Sequence, residues 1–465
     1  MAYDRKRLDG LTLRFAKHMA ELRYEDLPAE VQNKAKLILR DGVGNQLAAS
    51  AISEPARRMV ELVTSWQGAP QSTIVGYGTK VPAPHAALCN AMLGHGIELD
   101  DAHGSGLIKA GSVLVPSIFA AAEISNVSGR DVVAALVGGY EIAIRVAKAI
   151  NPGHRQRGYH TTGTVSTLGA AAATARLLGC DTEAIAWAIG LAAMQSAGIQ
   201  SYLDDACMAK PFSPGKAAFN GVLAGVMASR GYTGPRMALE SKEGFFNAFT
   251  NEVKMEEFGD DLGRRWAIME VGFKPHAACR YAHGPIDLAQ RAFHENGVRL
   301  SDLESCTVGM SELAIRQASK PKAVNLNAAM GSTEFSVALA LAVGNNGLKE
   351  YWDGFKNREI HEKATRVQVR QEPAYGVTGR QADLRIALTD GRTVELSSKE
   401  PKGEPTNPLS EDDLERKYFA MTTMVIEEAH ARRVAEMLMK LDQLPNASAV
   451  PRATVIKTGP VLRAA

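Results

Sequence analysis

Residues 116–231 do most to limit what this chain can fold into. They carry AAAEIS, GRDVVAALVGGYEIAIRVAKAI, TLGAAAATARLLG, TEAIAWAIGLAAM and GKAAFNGVLAGVMASRG in close succession. These runs read as helices with short connections, which bury their faces against one another as an α-bundle. Ala and Gly stand where helices must approach closely. Aromatic residues make up only 6% of the chain, which argues against an aromatic-rich β-sandwich. No fixed-period repeat is present, and 465 residues suit two or three domains.

The flanking text divides into two kinds. Residues 11–22 place apolar side chains at helical spacing. Pro28 opens a second helix, where its missing N–H costs nothing. That helix runs to about residue 50, with Val31, Ala35, Ile38 and Leu39 on its apolar face. Residues 54–66 form a third helix, STIVGY at 72–77 is a short β-like run, and 84–101 is a fourth helix. Near Trp266 the character changes, and 306–312, 366–371 and 381–398 alternate apolar and polar residues. Asp390-Gly391 between two alternating runs is a strong hairpin signal. Helices at 284–296 and 333–343 lie between these strands. The expected architecture is mainly α. A large all-helical domain, built from 1–265 and 404–465, is interrupted by a smaller, lid-like α+β domain at 266–403. KGEPTNP at 402–408 reads as a linker, and 410–441 returns to helix and rejoins the first domain.

A net charge of +2 gives no basic field for nucleic acid. Cys89, Cys180, Cys207, Cys279 and Cys306 are odd in number and form no CxxC pair. They read as reduced thiols of a cytoplasmic protein. The charged, amphipathic N-terminal text lacks an apolar signal core. The most apolar run, 132–150, carries Glu141 and Arg145 and falls short of the ~20 residues of a bilayer span, so no membrane segment is expected. Glu141 and Arg145, one turn apart, read as a structural ion pair.

Four segments concentrate chemistry-bearing residues. MLGHGIELDDAHGSGLIKAGSVLVP at 92–116 holds His95, Glu98, Asp100, Asp101, His103 and Lys109 on a helix end broken by Gly104 and Gly106. It suits an active-site floor or a solvated acidic turn. GYHTTG at 158–163 sets His160 in a polar loop before an Ala-rich helix, where it can exchange a proton near pH 7 or simply face solvent. AKPFSPGKAAFNG at 209–221 offers Lys210 near a helix start. It is not a Walker A loop, since Ala217 stands where Ser or Thr is required. FKPHAACRYAH at 273–283 holds Lys274, His276, Cys279, Arg280 and His283. The cations suit carboxylates, and the His and Cys residues suit a metal less well, because no second tight cluster completes the site.

Taken in order, with LPAEVQNKAKLILRDGVG at 27–44 and NPLSEDDLERKY at 407–418, these segments resemble the MmgE/PrpD family. That family includes 2-methylcitrate dehydratases, cis-aconitate decarboxylases and iminodisuccinate epimerases. The resemblance implies a helical domain from both chain ends, an inserted α+β domain and an active site between them. It also implies a homodimer and chemistry that needs no metal or cofactor. The family's acidic motif matches Glu98-Leu99-Asp100-Asp101, its loop His matches His160, and its lysines match Lys210 and Lys274. The His that often follows the second Lys matches His283. One departure stands out. Lys109-Ala110 occupies the place of a His-Pro whose His looks catalytic in the dehydratase and decarboxylase branches, and Ala102 stands where Thr is common.

The implied chemistry is proton transfer at a carbon beside a carboxylate of a small di- or tricarboxylic acid. Deprotonation there builds negative charge that fixed cations must meet. The expected catalytic residues are His160, as principal proton-transfer group, Asp100, Asp101 and Lys109. The expected substrate contacts are Glu98, His103, Lys210, Lys274, Arg280 and His283. The leading expectation is a hydro-lyase. An epimerase with Lys109 as second base follows, then a decarboxylase, and outside enzymes a carboxylate-binding protein with a degenerate site.

Overall fold

The computed structural model describes residues 8–205 and 207–463; the first seven residues of the charged N-terminal text lie outside it. Helices Gly111–Ser125, Gly129–Ile150, Thr161–Leu177, Thr182–Met194 and Phe212–Ser229 pack as the bundle their text implies. Thr161–Leu177 is the hub, with every residue but Arg176 buried. Its small side chains let neighbours close in on several sides. A Cβ at Gly169 would stand 2.5 Å from the Gly139 carbonyl oxygen, and one at Gly225 would stand 2.6 Å from the Thr174 side chain. Interiors gain from such density because each close atom pair adds dispersion energy. Ser128 starts Gly129–Ile150 through a capping box with Asp131. On this helix Arg145 Nε donates to Glu141 Oε2 at 2.8 Å, as expected, and Nη1 donates to Asp261 Oδ1 at 2.6 Å. The buried Arg thus ties the segment before Trp266 to the bundle.

Strands β1 (Ser72–Thr73) and β2 (Lys80–Val81) form a minimal antiparallel ladder, shorter than the β-like run expected at 72–77. The second half holds β3 (Leu303–Met310), β4 (Val367–Gln371), β5 (Ala382–Leu388) and β6 (Thr393–Ser398), in the order β4-β3-β5-β6. The β3–β4 pair is parallel, its crossover passing through helix Thr333–Val343, and the other pairs are antiparallel. The β5–β6 hairpin closes at Asp390-Gly391, with Gly391 at φ 87°. Ala382, Leu384, Ile386 and Leu388 alternate into the core, and helices His283–Glu295 and Thr333–Val343 pack on this sheet.

The expected return to helix over 410–441 is made as two helices, Glu411–Thr422 and Glu428–Met439. The β-branched Thr422, Thr423, Val425 and Ile426 cluster at the break, where such residues favour helix least. Both helices pack on Ala29–Ile52, where Lys417 Nζ lies 2.6 Å from Asp41 Oδ1. The helix expected to run to residue 101 is Ala83–His95. Gly94 and Gly96 weaken it there, and Glu98 turns into the left-handed region at φ 56°. Among the described residues no helix is long and apolar enough to cross a membrane.

Candidate active site

The early end of Ala83–His95 matters for chemistry. It releases residues 96–110 as a loop that folds back over the bundle instead of projecting as a helix. The start of Thr161–Leu177, capped by His160, and the start of Phe212–Ser229, preceded by Lys210, point at the same place. Cys279, Gln317 and Arg380 reach it from the second half of the chain, with Lys274 packed behind Glu98. Two adjoining cavities result, with Tyr202, Lys210, Cys279 and Gln317 lining both.

One wall is a knot of paired charges. Lys274 is fully buried, and its Nζ lies 3.0 Å from the Glu98 carbonyl, 3.1 Å from Glu98 Oε2 and 3.4 Å from Asp100 Oδ1. Lys210 donates to Glu98 Oε1. Burial pushes the Glu98 carboxyl up, but Lys210 and Lys274 outweigh it and hold the group well below the usual carboxylate range. Asp100 is likewise held low, since His95 and Lys274 outweigh its burial. Asp100 Oδ2 sits 2.6 Å from His95 Nδ1. That contact fixes the His95 ring and leaves His95 Nε2 buried with no hydrogen-bond partner.

The groups across from this knot are unpaired. His160 has a buried Nδ1 without a partner, and its ring centroid lies 5.8 Å from that of His95. Burial, and then the neighbouring His95, Lys109 and Lys210, push its pKa well below the ordinary value, so the ring is neutral at pH 7. The Lys109 backbone N–H donates to Thr162 Oγ1 at 3.1 Å, but its ammonium meets no carboxylate within ion-pair distance among the described residues. Burial and the neighbouring Lys274 lower its pKa to about 8. It therefore carries a proton at pH 7 that it can give up.

Not every expected site residue reaches the cavities. Asp101 lies behind the wall, where it accepts from Tyr140 Oη at 2.6 Å and Gly111 N at 3.0 Å, and burial raises its pKa to about 7. His103 lines a cavity, yet its ring nitrogens contact Glu270 Oε2 at 3.2 Å and Gly106 N at 3.0 Å. Arg280 also lines a cavity, yet it donates to Glu404 Oε1 at 2.8 Å and to the Lys402 carbonyl at 3.0 Å. His283 has one nitrogen against Arg280 Nη1 at 3.0 Å and the other against the Ala278 carbonyl at 3.2 Å, and it lines neither cavity. His276 is taken by Asp287 at 2.7 Å, and among the described residues no three His, Cys, Asp or Glu side chains group as a metal-ligand set.

Other lining residues escaped the sequence reading. Arg155, Tyr202, Tyr281, Lys320 and Arg380 all face the cavities. Arg155 lies five residues before His160, so a wider window around GYHTTG would have taken it in. Arg380 sits in TGRQAD beside β5, and nothing local marks it.

Comparison with known proteins agrees with this arrangement of segments. Residues 13–257 match the MmgE/PrpD N-terminal domain and residues 276–443 match the MmgE/PrpD C-terminal domain. A cis-aconitate decarboxylase of Aspergillus terreus is 26% identical over 472 aligned residues, covering 96% of each chain. A human cis-aconitate decarboxylase is 23% identical over 471, covering 97% of this chain and 95% of its own.

Proposed function

This chain belongs to the MmgE/PrpD family, and from that premise we propose that it is a lyase acting beside a carboxylate of a small tricarboxylic acid, most simply by removing water. One observation carries the reading. A neutral His160 and a protonated Lys109 line the same cavity, and among the described residues neither has a side-chain hydrogen bond or ion pair. Dehydration needs this pairing. A base takes the proton from the carbon next to the carboxylate, and an acid protonates the departing hydroxyl on the adjacent carbon. His160 is the base in this reading and Lys109 the acid. Lys210, on the wall of both cavities, offsets charge that develops on the substrate carboxylate. Asp100 and Lys274 act one layer back, Asp100 by orienting His95 and Lys274 by holding Glu98. Arg280, His283, His103 and Asp101 then hold the frame rather than the substrate.

A second reading is decarboxylation, favoured by the cis-aconitate decarboxylases that match nearly the whole chain. There the bond to the departing carboxylate breaks, its electron pair remains on carbon, and Lys109 delivers the proton that quenches it. Incubating the enzyme with citrate, 2-methylcitrate or cis-aconitate in deuterated water, followed by NMR, separates the readings. Loss of water supports the lead and release of carbon dioxide supports the second. Exchange of a carbon-bound proton without net change marks an epimerase, and no change with any of the acids overturns both.

A further inference from the structure

Three side chains in the cavity have no place in the proton-transfer scheme, and each carries a buried polar atom with no partner. They are Arg155 through Nη1, Tyr281 through Oη and Arg380 through Nη1. Arg155 is 3% exposed and comes from the short turn before His160. With the Gln317 amide oriented oxygen-first, that oxygen accepts from both Nε and Nη2 of Arg155, which leaves Nη1 as its free donor. Arg380 comes from the loop before β5, at the other end of the sequence. Its guanidinium stacks 4.2 Å above the Tyr281 ring, which fixes its plane. Neither Arg meets a carboxylate within ion-pair distance among the described residues. A guanidinium held from water without an anion is a costly thing to keep, and here the buried Arg155 and the half-buried Arg380 line one cavity beside a phenol O–H that has no partner among the described residues.

We propose that Arg155, Arg380 and Tyr281 form a clamp for a second carboxylate of the substrate, at the part of the cavity away from the Glu98–Lys274 knot. The free Nη1 of Arg155, the guanidinium of Arg380 and the Tyr281 hydroxyl supply donors for both oxygens of one carboxylate. With Lys109, three cations on this cavity lack an anion among the described residues, so the ligand that balances them carries two to three negative charges. The site therefore selects tricarboxylates over dicarboxylates, and both over monocarboxylates. This inference rests on the tricarboxylate reading above and adds to it the residues that count carboxylates.

The test is calorimetric binding to the full chain, wild type, Arg155→Met and Arg380→Gln. The probes are propane-1,2,3-tricarboxylate and its two analogues lacking one carboxylate, glutarate and methylsuccinate. Arg380 is only half-buried, so its variant keeps the test alive if Arg155→Met fails to fold. The expected result is a loss of about 10- to 100-fold in tricarboxylate affinity in each folded variant, the size of a charged hydrogen-bonded contact. Affinity for the analogue that lacks the clamped carboxylate stays as in wild type. Variants that bind all three probes like wild type overturn the clamp and leave the tricarboxylate reading standing. Variants that lose affinity for all three equally also overturn it, since the arginines then only shape the cavity. If wild type binds none of the three, the tricarboxylate reading fails and the clamp fails with it.

Discussion

Two sets of cations meet at one cavity and differ in a single respect. Lys210, Lys274 and Arg280 each have a carboxylate of the protein within reach, namely Glu98, Glu98 with Asp100, and Glu404. Lys109, Arg155 and Arg380 have none among the described residues. Both sets came from segments of similar polar text, so residue type does not distinguish them. The paired set spans the two halves of the chain and answers burial with opposite charge, which is what a fold needs. The unpaired set leaves charge unanswered, which is what a ligand site needs. In the proposed site the cations without a protein anion recruit the substrate, and Lys210 joins them from the paired set because it also lines the cavity.

Breaking each side should give different losses. The largest concerns the group that sits among the unpaired cations. His160→Gln keeps size and one hydrogen-bonding atom but cannot take up a proton near neutrality. It should lower kcat by about 10²–10⁴, with tricarboxylate affinity much less affected. Full retention of kcat would move the base to His95. Next, Lys274→Met strands Glu98 and Asp100 as buried carboxylates. It should cost about 3–5 kcal/mol in urea unfolding at pH 7, and a variant as stable as wild type would show that Lys210 alone can balance the knot.

Lys109→Met tests the opposite prediction for an unpaired cation. Stability should hold or rise slightly, because an unanswered charge leaves a partly buried site, while kcat falls by about 10²-fold. The Lys109 pKa is lowered to about 8, so its proton is present below that value and lost above it. Wild-type kcat should therefore fall as pH rises through about 8, and the variant should lack that limb. An unchanged profile would remove Lys109 from the acid role.

The smallest effect concerns Asp101, which is buried behind the site. Its folded pKa is raised from 3.8 to about 7, mainly by burial. Its stabilising contribution is then complete below pH 3.8 and lost as pH rises to about 7. Asp101→Asn should flatten the pH dependence of Tm across that window without changing kcat. A steep dependence in the variant would assign the titration to another group.

Much of the frame was legible before any coordinates. Small-residue helices, the Asp390-Gly391 hairpin and the Glu141–Arg145 pair are local patterns, and helical or two-residue periodicity reports them directly. The site was legible in part. His160, Lys109 and Lys210 stand at loop–helix junctions that the sequence marks with Gly and Pro, and all three line the cavities. Lys274, Arg280 and His283 looked equally chemical, and the fold spent them on Glu98, Glu404 and the Ala278 carbonyl. Arg155 and Arg380 looked ordinary and came to line the cavity.

The sequence by itself determined which stretches become helix or strand and which residue types could do acid–base and carboxylate chemistry. It could do so because those properties depend on neighbours three or four positions away. Only the tertiary structure decided which charges are answered. Glu98 finds Lys274 across 176 positions, and Arg280 finds Glu404 across 124. Whether a buried cation has an anion within reach depends on such long-range pairings, which no local spacing encodes. That pairing separates the cations whose charge the protein answers from those whose charge it leaves open to a ligand.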